Sequence, residues 1–281
     1  MGFKELLSKE LSKELGSNVN LLPKGFQAIG DIVIINLKPE LLEHKKEIGE
    51  KILDLFPRFK TVCNKTGEIK GEFREPQIEV IAGDKNTGAV VKENNCIWKF
   101  DVSKIMFAKG NINERVRIAK QVRRGEVIVD MFAGIGYFTI PMAKLASPEK
   151  IYSIEKNPIS FRYLKENLKL NHRENKVEVI NGDNTIAVPE LGIKADRIVM
   201  GYLPPPKDFL DTAFLVAKKG TIIHYEDILT VGKEKEDAEK SMKSIREAAE
   251  KVGRKVKLLS LNRVKGYGPK RDHYVLDVKV L

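Results

Sequence analysis

From Glu126 onward, short apolar runs alternate with amphipathic stretches, and no other feature of the chain constrains its fold as tightly. "EVIVDMF", "KIYSIEK" and "KVEVINGD" read as strands, being β-branched runs bounded by turns. "YFTIPMAKLA" and "PISFRYLKENLKLN" between them carry helical periodicity. Parallel neighbours need a crossover, and a helix supplies it, so this alternation predicts a parallel sheet covered by helices on both faces. The pattern continues through the strand "DRIVMGY", a helix from "KDFLDTAFLVA" and the strand "GTIIHYED". A Glu- and Lys-rich helix over 233–253 follows, with Ala238, Met242, Ile245 and Ala249 as its buried stripe. "KVKLLSLNRV" and "DHYVLDVKV" then predict a closing strand pair around "KGYGPKR".

The preceding third is organised differently. Phe3, Leu6, Leu7, Leu11 and Leu15 form one stripe of a short amphipathic helix. "AIGDIVIINL" reads as one strand and "LLEHKKEIGEKILDLF" as a helix ended by Pro57. "TVCNK", "QIEVIAG", "GAVVKEN" and "CIWKFDV", separated by Gly- and Asn-containing turns, predict a small antiparallel sheet. A further helix starts near Asn113. The pattern changes within 107–111, so two domains are expected, 1–108 and 109–281. With 42% apolar residues in 281, the chain can bury a core in each.

Charge and composition narrow the function. Fifty Lys and Arg against thirty-nine Asp and Glu leave a formal charge of +11, which suits an anionic partner such as nucleic acid. No uninterrupted apolar run is long enough to span a membrane. "MGFKELLSKELSKEL" interleaves charges with its leucines, unlike a signal peptide, so a cytoplasmic protein is expected. Cys63 and Cys96 lie far apart with no neighbouring histidine, which indicates neither a metal site nor a disulfide framework.

The chemistry concentrates in "VIVDMFAGIGYFTIP". A strand ends at Asp130, and the loop Phe132, Ala133, Gly134, Gly136 allows close backbone approach before a helix begins. The dinucleotide pattern Gly-x-Gly-x-x-Gly fails, because Thr139 stands where the third glycine belongs. The next strand ends at Glu155, where a carboxylate can accept both hydroxyls of a ribose. The third ends in "GDN", placing Asp183 and Asn184 at the same edge, where an acid can accept from an adenine amino group. Each feature alone is a turn glycine or a solvated acid; together, at successive strand ends, they predict a nucleoside-containing ligand.

These residues resemble the class I S-adenosylmethionine-dependent transferases. More narrowly, the chain is similar from about Leu22 onward to the archaeal and eukaryotic family that modifies the guanosine 3′ of the tRNA anticodon. "FQAIGDIVIINL", "NINERVRI" and "RVKGYGPKRDHYVLDV" carry that likeness. It implies an α/β protein: a class I methyltransferase-like Rossmann fold preceded by a smaller α/β domain. It also implies S-adenosylmethionine as group donor, tRNA bound through its anticodon-loop region, no metal, no membrane and a monomer. Arg115 resembles the family arginine that reaches the cofactor or target base, although composition alone makes it a solvated helix residue. Ser103 and Lys109, in the same junction, are candidates for the methionine carboxylate.

The N1-methylating branch of that family has Asn-Leu-Pro after the fourth strand, whereas this chain has "MGYLPPP". Gly201 and Tyr202, with "DFLDTAF" and "GTIIHYED", instead look like the wybutosine-pathway branch. That branch transfers the 3-amino-3-carboxypropyl group to a carbon of a tricyclic guanosine derivative. Gly201 is then expected to leave room for the bulkier arm. Glu226, Asp208 and His224 are candidates for a general base, "KQVRR" and "KGYGPKR" for phosphate contacts, and Tyr137 for the cofactor pocket. A guanosine N1-methyltransferase and a non-catalytic cofactor-binding RNA module are the alternatives.

Overall fold

The computed structural model describes residues 2–281, which divide into two compact units. The first runs to Lys92 and takes in Trp98–Phe107; the second comprises Glu93–Ile97 and Ala108–Leu281.

In the first unit, α1 (Phe3–Leu15) buries Leu7, Leu11 and Leu15, one residue per turn of a single stripe. The stretch expected as one strand is a hairpin, β1 (Gln27–Ile29) and β2 (Ile32–Ile35), because Gly30 and Asp31 make a two-residue turn. The expected single helix also divides: a short 3-10 helix over Pro39–His44 precedes α2 (Lys45–Leu55). With β3 (Thr61–Lys65) and β4 (Ile78–Gly83) the sheet runs β1-β2-β3-β4. It is mixed rather than antiparallel. The crossover through α2 brings β3 back in the direction of β2, and the two pair in parallel. β5 (Gly88–Glu93) and β6 (Cys96–Asp101) make a separate two-stranded hairpin. It turns at Asn94 and Asn95, whose φ values of 48° and 63° suit the tight turn that asparagine tolerates.

The second unit follows the predicted alternation. α3 (Ile112–Gln121) leads into β7 (Val127–Asp130), α4 (Thr139–Leu145), β8 (Lys150–Glu155), α5 (Pro158–Leu170) and β9 (Val177–Asn181). α6 (Asn184–Glu190), which periodicity did not predict, precedes β10 (Ala195–Met200), α7 (Leu210–Val216) and β11 (Ala217–Thr230). α8 (Glu234–Lys251), β12 (Val256–Gly268) and β13 (Arg271–Val280) complete it. β12 absorbs most of "KGYGPKR", so the expected loop is only a tight turn. The seven strands run β12-β13-β11-β10-β7-β8-β9, parallel from β11 to β9, with β13 antiparallel to its neighbours.

Strand alternation gives this sheet two unlike faces. Val129, Ile198, Met200, Ile223 and Tyr225 pack into an apolar core with Ala187, Phe214, Met242 and Ile245 of α6, α7 and α8. The intervening Asp130, Arg197, His224 and Glu226 point the other way and are all buried. On that face lies a chain of charges. Arg117 of α3 donates to both oxygens of Glu114, at 2.6 and 2.7 Å, and to both oxygens of Asp277, at 2.6 and 2.9 Å. His224 lies between Asp277, 2.6 Å from Nδ1, and Arg197, 2.7 Å from Nε2. Arginine can only donate, so Nε2 accepts and Nδ1 carries the proton given to Asp277. Arg197 closes the chain on Glu126 at 2.8 and 3.0 Å.

Burial lowers the His224 pKa despite its carboxylate neighbour. Burial alone would raise the Asp277 carboxyl, but His224 and Arg117 outweigh it and hold it well below the usual carboxylate range. Both folded-state values are depressed, so both groups stabilise the fold at neutral pH and lose that contribution as pH falls. Loss begins near the unfolded histidine value of about 6.5 and continues below the unfolded aspartate value of about 3.9. Removing one partner of a buried pair costs about 3–5 kcal/mol. Asp277→Asn is therefore expected to lower the melting temperature at pH 7 by about 6 °C or more, at about 2–4 °C per kcal/mol. It should also flatten the decline of melting temperature with acid, and a melting curve matching the parent at both pH values would refute this.

Candidate active site

The loop after β7 is shaped by close packing. Gly134 and Gly136 have φ of 57° and 95°, in the left-handed region that side chains avoid. A Cβ on Gly134 would lie 2.5 Å from the Tyr137 ring, and one on Gly136 2.7 Å from Ile140. Met131 N–H donates to Val199 and Ala133 N–H to Ile154, both at 3.0 Å, tying the loop to β10 and β8. Glu155, at the end of β8, accepts from Gly134 N–H and Asn157 N–H, both at 2.7 Å. One carboxylate thus anchors the loop and the entry to α5, and each oxygen keeps a further lone pair. Burial raises the Glu155 pKa against the pull of these N–H groups.

Three buried acceptors at this carboxyl edge lack a hydrogen-bond partner among the described residues. Asp130 accepts from Thr139 Oγ1 at 2.7 Å through Oδ2, while Oδ1 has no well-aligned hydrogen-bond partner among the described residues. Burial, and then the charges of Glu155 and Glu226, push its pKa up to about 7. Asn184 donates to Met131 C=O at 3.2 Å, and its Oδ1 is bare. Glu226 Oε1 is the third. An unsatisfied buried acceptor costs about 1–3 kcal/mol, and a ligand rich in N–H and O–H donors would remove that penalty. The ribose hydroxyls, exocyclic amine and ammonium of S-adenosylmethionine are such donors, so the residues fit this group.

Several expectations change. Asp183 does not present a free acid: it caps α6, accepting from Thr185 N–H at 2.9 Å and Oγ1 at 2.7 Å, and pairs with Lys156 at 3.0 Å. The available acceptor beside it is Asn184. Arg115 is not solvated but 3% exposed, bound to Ala108 C=O at 3.0 Å and Glu93 at 3.3 Å, with its guanidinium 5.1 Å from the Tyr137 ring centre. Gly201 does not leave open space. A Cβ there would lie 2.7 Å from the Phe138 ring, so the glycine admits an aromatic edge and the expected room for a bulky arm is filled. His224 has both ring nitrogens engaged and cannot serve as a base, while Asp208 is exposed on a short 3-10 helix.

Other predicted residues come together. Tyr202 stacks on Phe132 with ring centres 5.0 Å apart, and Phe209 meets Phe132 edge-on at 5.0 Å. Phe209 carries no signal in the sequence that separates it from a core phenylalanine. Glu226 carries one, since it shares the period-two alternation of "HYED" with His224. Ser103 belongs to the first unit, where its N–H and hydroxyl both donate to Asp101, at 2.8 and 2.6 Å. The side chain of Lys109 lies outside the described part of the structure. Among the described residues no cluster of His, Cys, Asp or Glu could hold a metal ion, and no helix is long and apolar enough to cross a membrane. A cavity of about 730 Å³ opens at the opposite, amino edge of the strands, lined by Arg124 of "KQVRR" with His172, Arg173 and Lys176.

Comparison with known proteins agrees with this fold. Residues 89–259 match the TRM5/TYW2 methyltransferase domain, and residues 3–87 match the TYW2 N-terminal domain. A tRNA(Phe) (4-demethylwyosine(37)-C(7)) aminocarboxypropyltransferase of Pyrococcus horikoshii is 40% identical over 277 residues, covering 99% of this chain and 95% of that relative. The enzyme of the same name from Methanocaldococcus jannaschii is 39% identical over 257 residues, covering 90% of this chain and 97% of that one. The crystal structure of P. horikoshii TYW2 in complex with MeSAdo superposes with a TM-score of 0.82 at 35% identity, covering 99% of both chains. With both halves matched and the carboxyl-edge loop built as described, the chain belongs to the TRM5/TYW2 family of transferases.

Proposed function

We propose that this protein transfers the 3-amino-3-carboxypropyl group of S-adenosylmethionine to the C7 carbon of 4-demethylwyosine at position 37 of tRNA(Phe), releasing methylthioadenosine. The observation that carries this reading is the near full-length likeness to two aminocarboxypropyltransferases. S-adenosylmethionine supplies, when bound, an electrophilic carbon on a sulfonium leaving group. The chain's own residues bind and orient. Glu155 accepts the ribose hydroxyls through lone pairs that the Gly134 and Asn157 N–H groups leave free. Asn184 and Asp183 serve the adenine side, and Asp130 with the loop Phe132, Ala133, Gly134, Gly136 lines the floor. Arg115 and Tyr202, with Gly201 between strand and proline loop, face the methionine and base side. Ser103 and Lys109 remain candidates for the carboxylate.

In this reading residues 109–281 are the catalytic domain, 1–108 serve the tRNA, and the enzyme is a cytoplasmic monomer that docks near the anticodon loop. The second reading is a guanosine-37 N1-methyltransferase, which the shared family model also embraces. The Gly201-Tyr202 pair in place of Asn-Leu weighs against it, because no amide side chain stands there to grip a target N–H.

Three outcomes are expected. With tRNA carrying the tricyclic precursor, carboxyl-labelled S-adenosylmethionine should pass its label to the RNA while methyl label stays on the released methylthioadenosine. Methyl label on unmodified guanosine, with no carboxyl label moved, would establish the methyltransferase; no transfer of either would leave a binding module. Glu155→Ala should weaken S-adenosylmethionine binding by about 2–3 kcal/mol in calorimetry, the range for hydrogen bonds to a charged group. Parent affinity would remove Glu155 from the site. Affinity for tRNA should fall steeply with added salt, because Lys and Arg displace condensed counterions from phosphates; a flat response would reject the basic surface as the docking face.

A further inference from the structure

Glu226 is buried, at 4% exposure, on the sheet face that also carries Asp130. It follows Tyr225, whose partner in β10 is Met200, so it stands level with Gly201 at the carboxyl edge. Its Oε2 lies 3.3 Å from Nε2 of the fully buried His273, while Oε1 has no hydrogen-bond partner among the described residues. Three neighbouring acids have both oxygens engaged. Glu114 gives both oxygens to Arg117, Asp277 is shared by Arg117 and His224, and Asp227 accepts from Ile228 N–H and the Ser241 hydroxyl. A buried carboxylate with a bare oxygen destabilises a fold, so an amide or apolar side chain would serve stability better.

The bare oxygen also points toward the site. It is 3.8 Å from where a Cβ on Gly201 would stand, and that glycine carries no side chain to cover it. Glu226 and Asp130 act on each other electrostatically across the same face. Two buried acids with an unfilled acceptor each complement a ligand that is both cationic and a hydrogen-bond donor. An RNA backbone offers anionic phosphates and neutral 2′-hydroxyls, and neither is a cation. Of the parts of S-adenosylmethionine, the adenosine donors are neutral and the sulfonium has charge without an N–H. Its ammonium has both.

We infer that Glu226 is the residue that binds the ammonium of the aminocarboxypropyl arm. This assignment rests on the cofactor reading above. The test compares S-adenosylmethionine with methylthioadenosine, which keeps the adenosine and sulfur but lacks the arm. In calorimetry, Glu226→Gln should weaken S-adenosylmethionine binding about tenfold or more, the span of one hydrogen bond to a charged group, and change methylthioadenosine binding less than about twofold. Glu226→Asp, which keeps the charge with shorter reach, should fall between parent and Glu226→Gln. The ligand-free Glu226→Gln protein should melt no lower than the parent, since a buried acid has been replaced by a neutral amide. Equal weakening of both ligands with a lower melting temperature would identify a structural residue and overturn the assignment, as would no weakening of either. The comparison needs no turnover, so it can fail while carboxyl-label transfer succeeds, and the reverse.

Discussion

Asp277 is the fastening on which the arrangement of the second unit depends. Its carboxylate, from the antiparallel strand β13, receives Arg117 of α3 and His224 of β11, and through His224 it is tied to Arg197 of β10. Buried charges tolerate little freedom, because any displacement leaves one of them unpaired in a poorly solvating interior. The helix is therefore held in one rotation on the sheet. Residues two apart on a helix point to nearly opposite sides, so seating Arg117 on Asp277 turns Arg115 toward Tyr137 and Glu93. A guanidinium meets the glycine-loop helix entry because a different arginine is locked elsewhere.

The two faces of the sheet divide the labour. Under α6, α7 and α8 the strands present valine, isoleucine and methionine, and this layer supplies hydrophobic stability. Under α3 and α4 the same strands present Asp130, Arg197, His224 and Glu226. Arg197 and His224 are fully paired, and they contribute rigidity. At the carboxyl edge, Asp130 Oδ1, Asn184 Oδ1 and Glu226 Oε1 have no hydrogen-bond partner among the described residues.

Much of this was legible beforehand. The alternation from Glu126 onward determined the parallel sheet, and "VIVDMFAGIGYFTIP" with Glu155 and "GDN" located its functional edge, because strand ends and positive-φ glycines are local properties. The errors in the first unit have a common cause. A hairpin at Gly30-Asp31 and a parallel β2–β3 pair depend on which strands meet, and periodicity carries no record of partners. The short α6 escaped because seven residues are too few to establish a helical period.

The sequence by itself determined the element types, the order of strand ends and the kinds of group that line them. Only the tertiary structure decided which of those groups are available. Asp183 looked like the adenine acceptor and is spent on capping, whereas Asn184 beside it is the bare one. His224 and Glu226 looked like equal candidates in "HYED", yet one is locked between Asp277 and Arg197 and the other keeps an unused oxygen. Gly201 looked like vacated space and is filled by the Phe138 ring. The physical reason is the same each time: residue type sets what a side chain can bond, but long-range packing sets what is left for it to bond to.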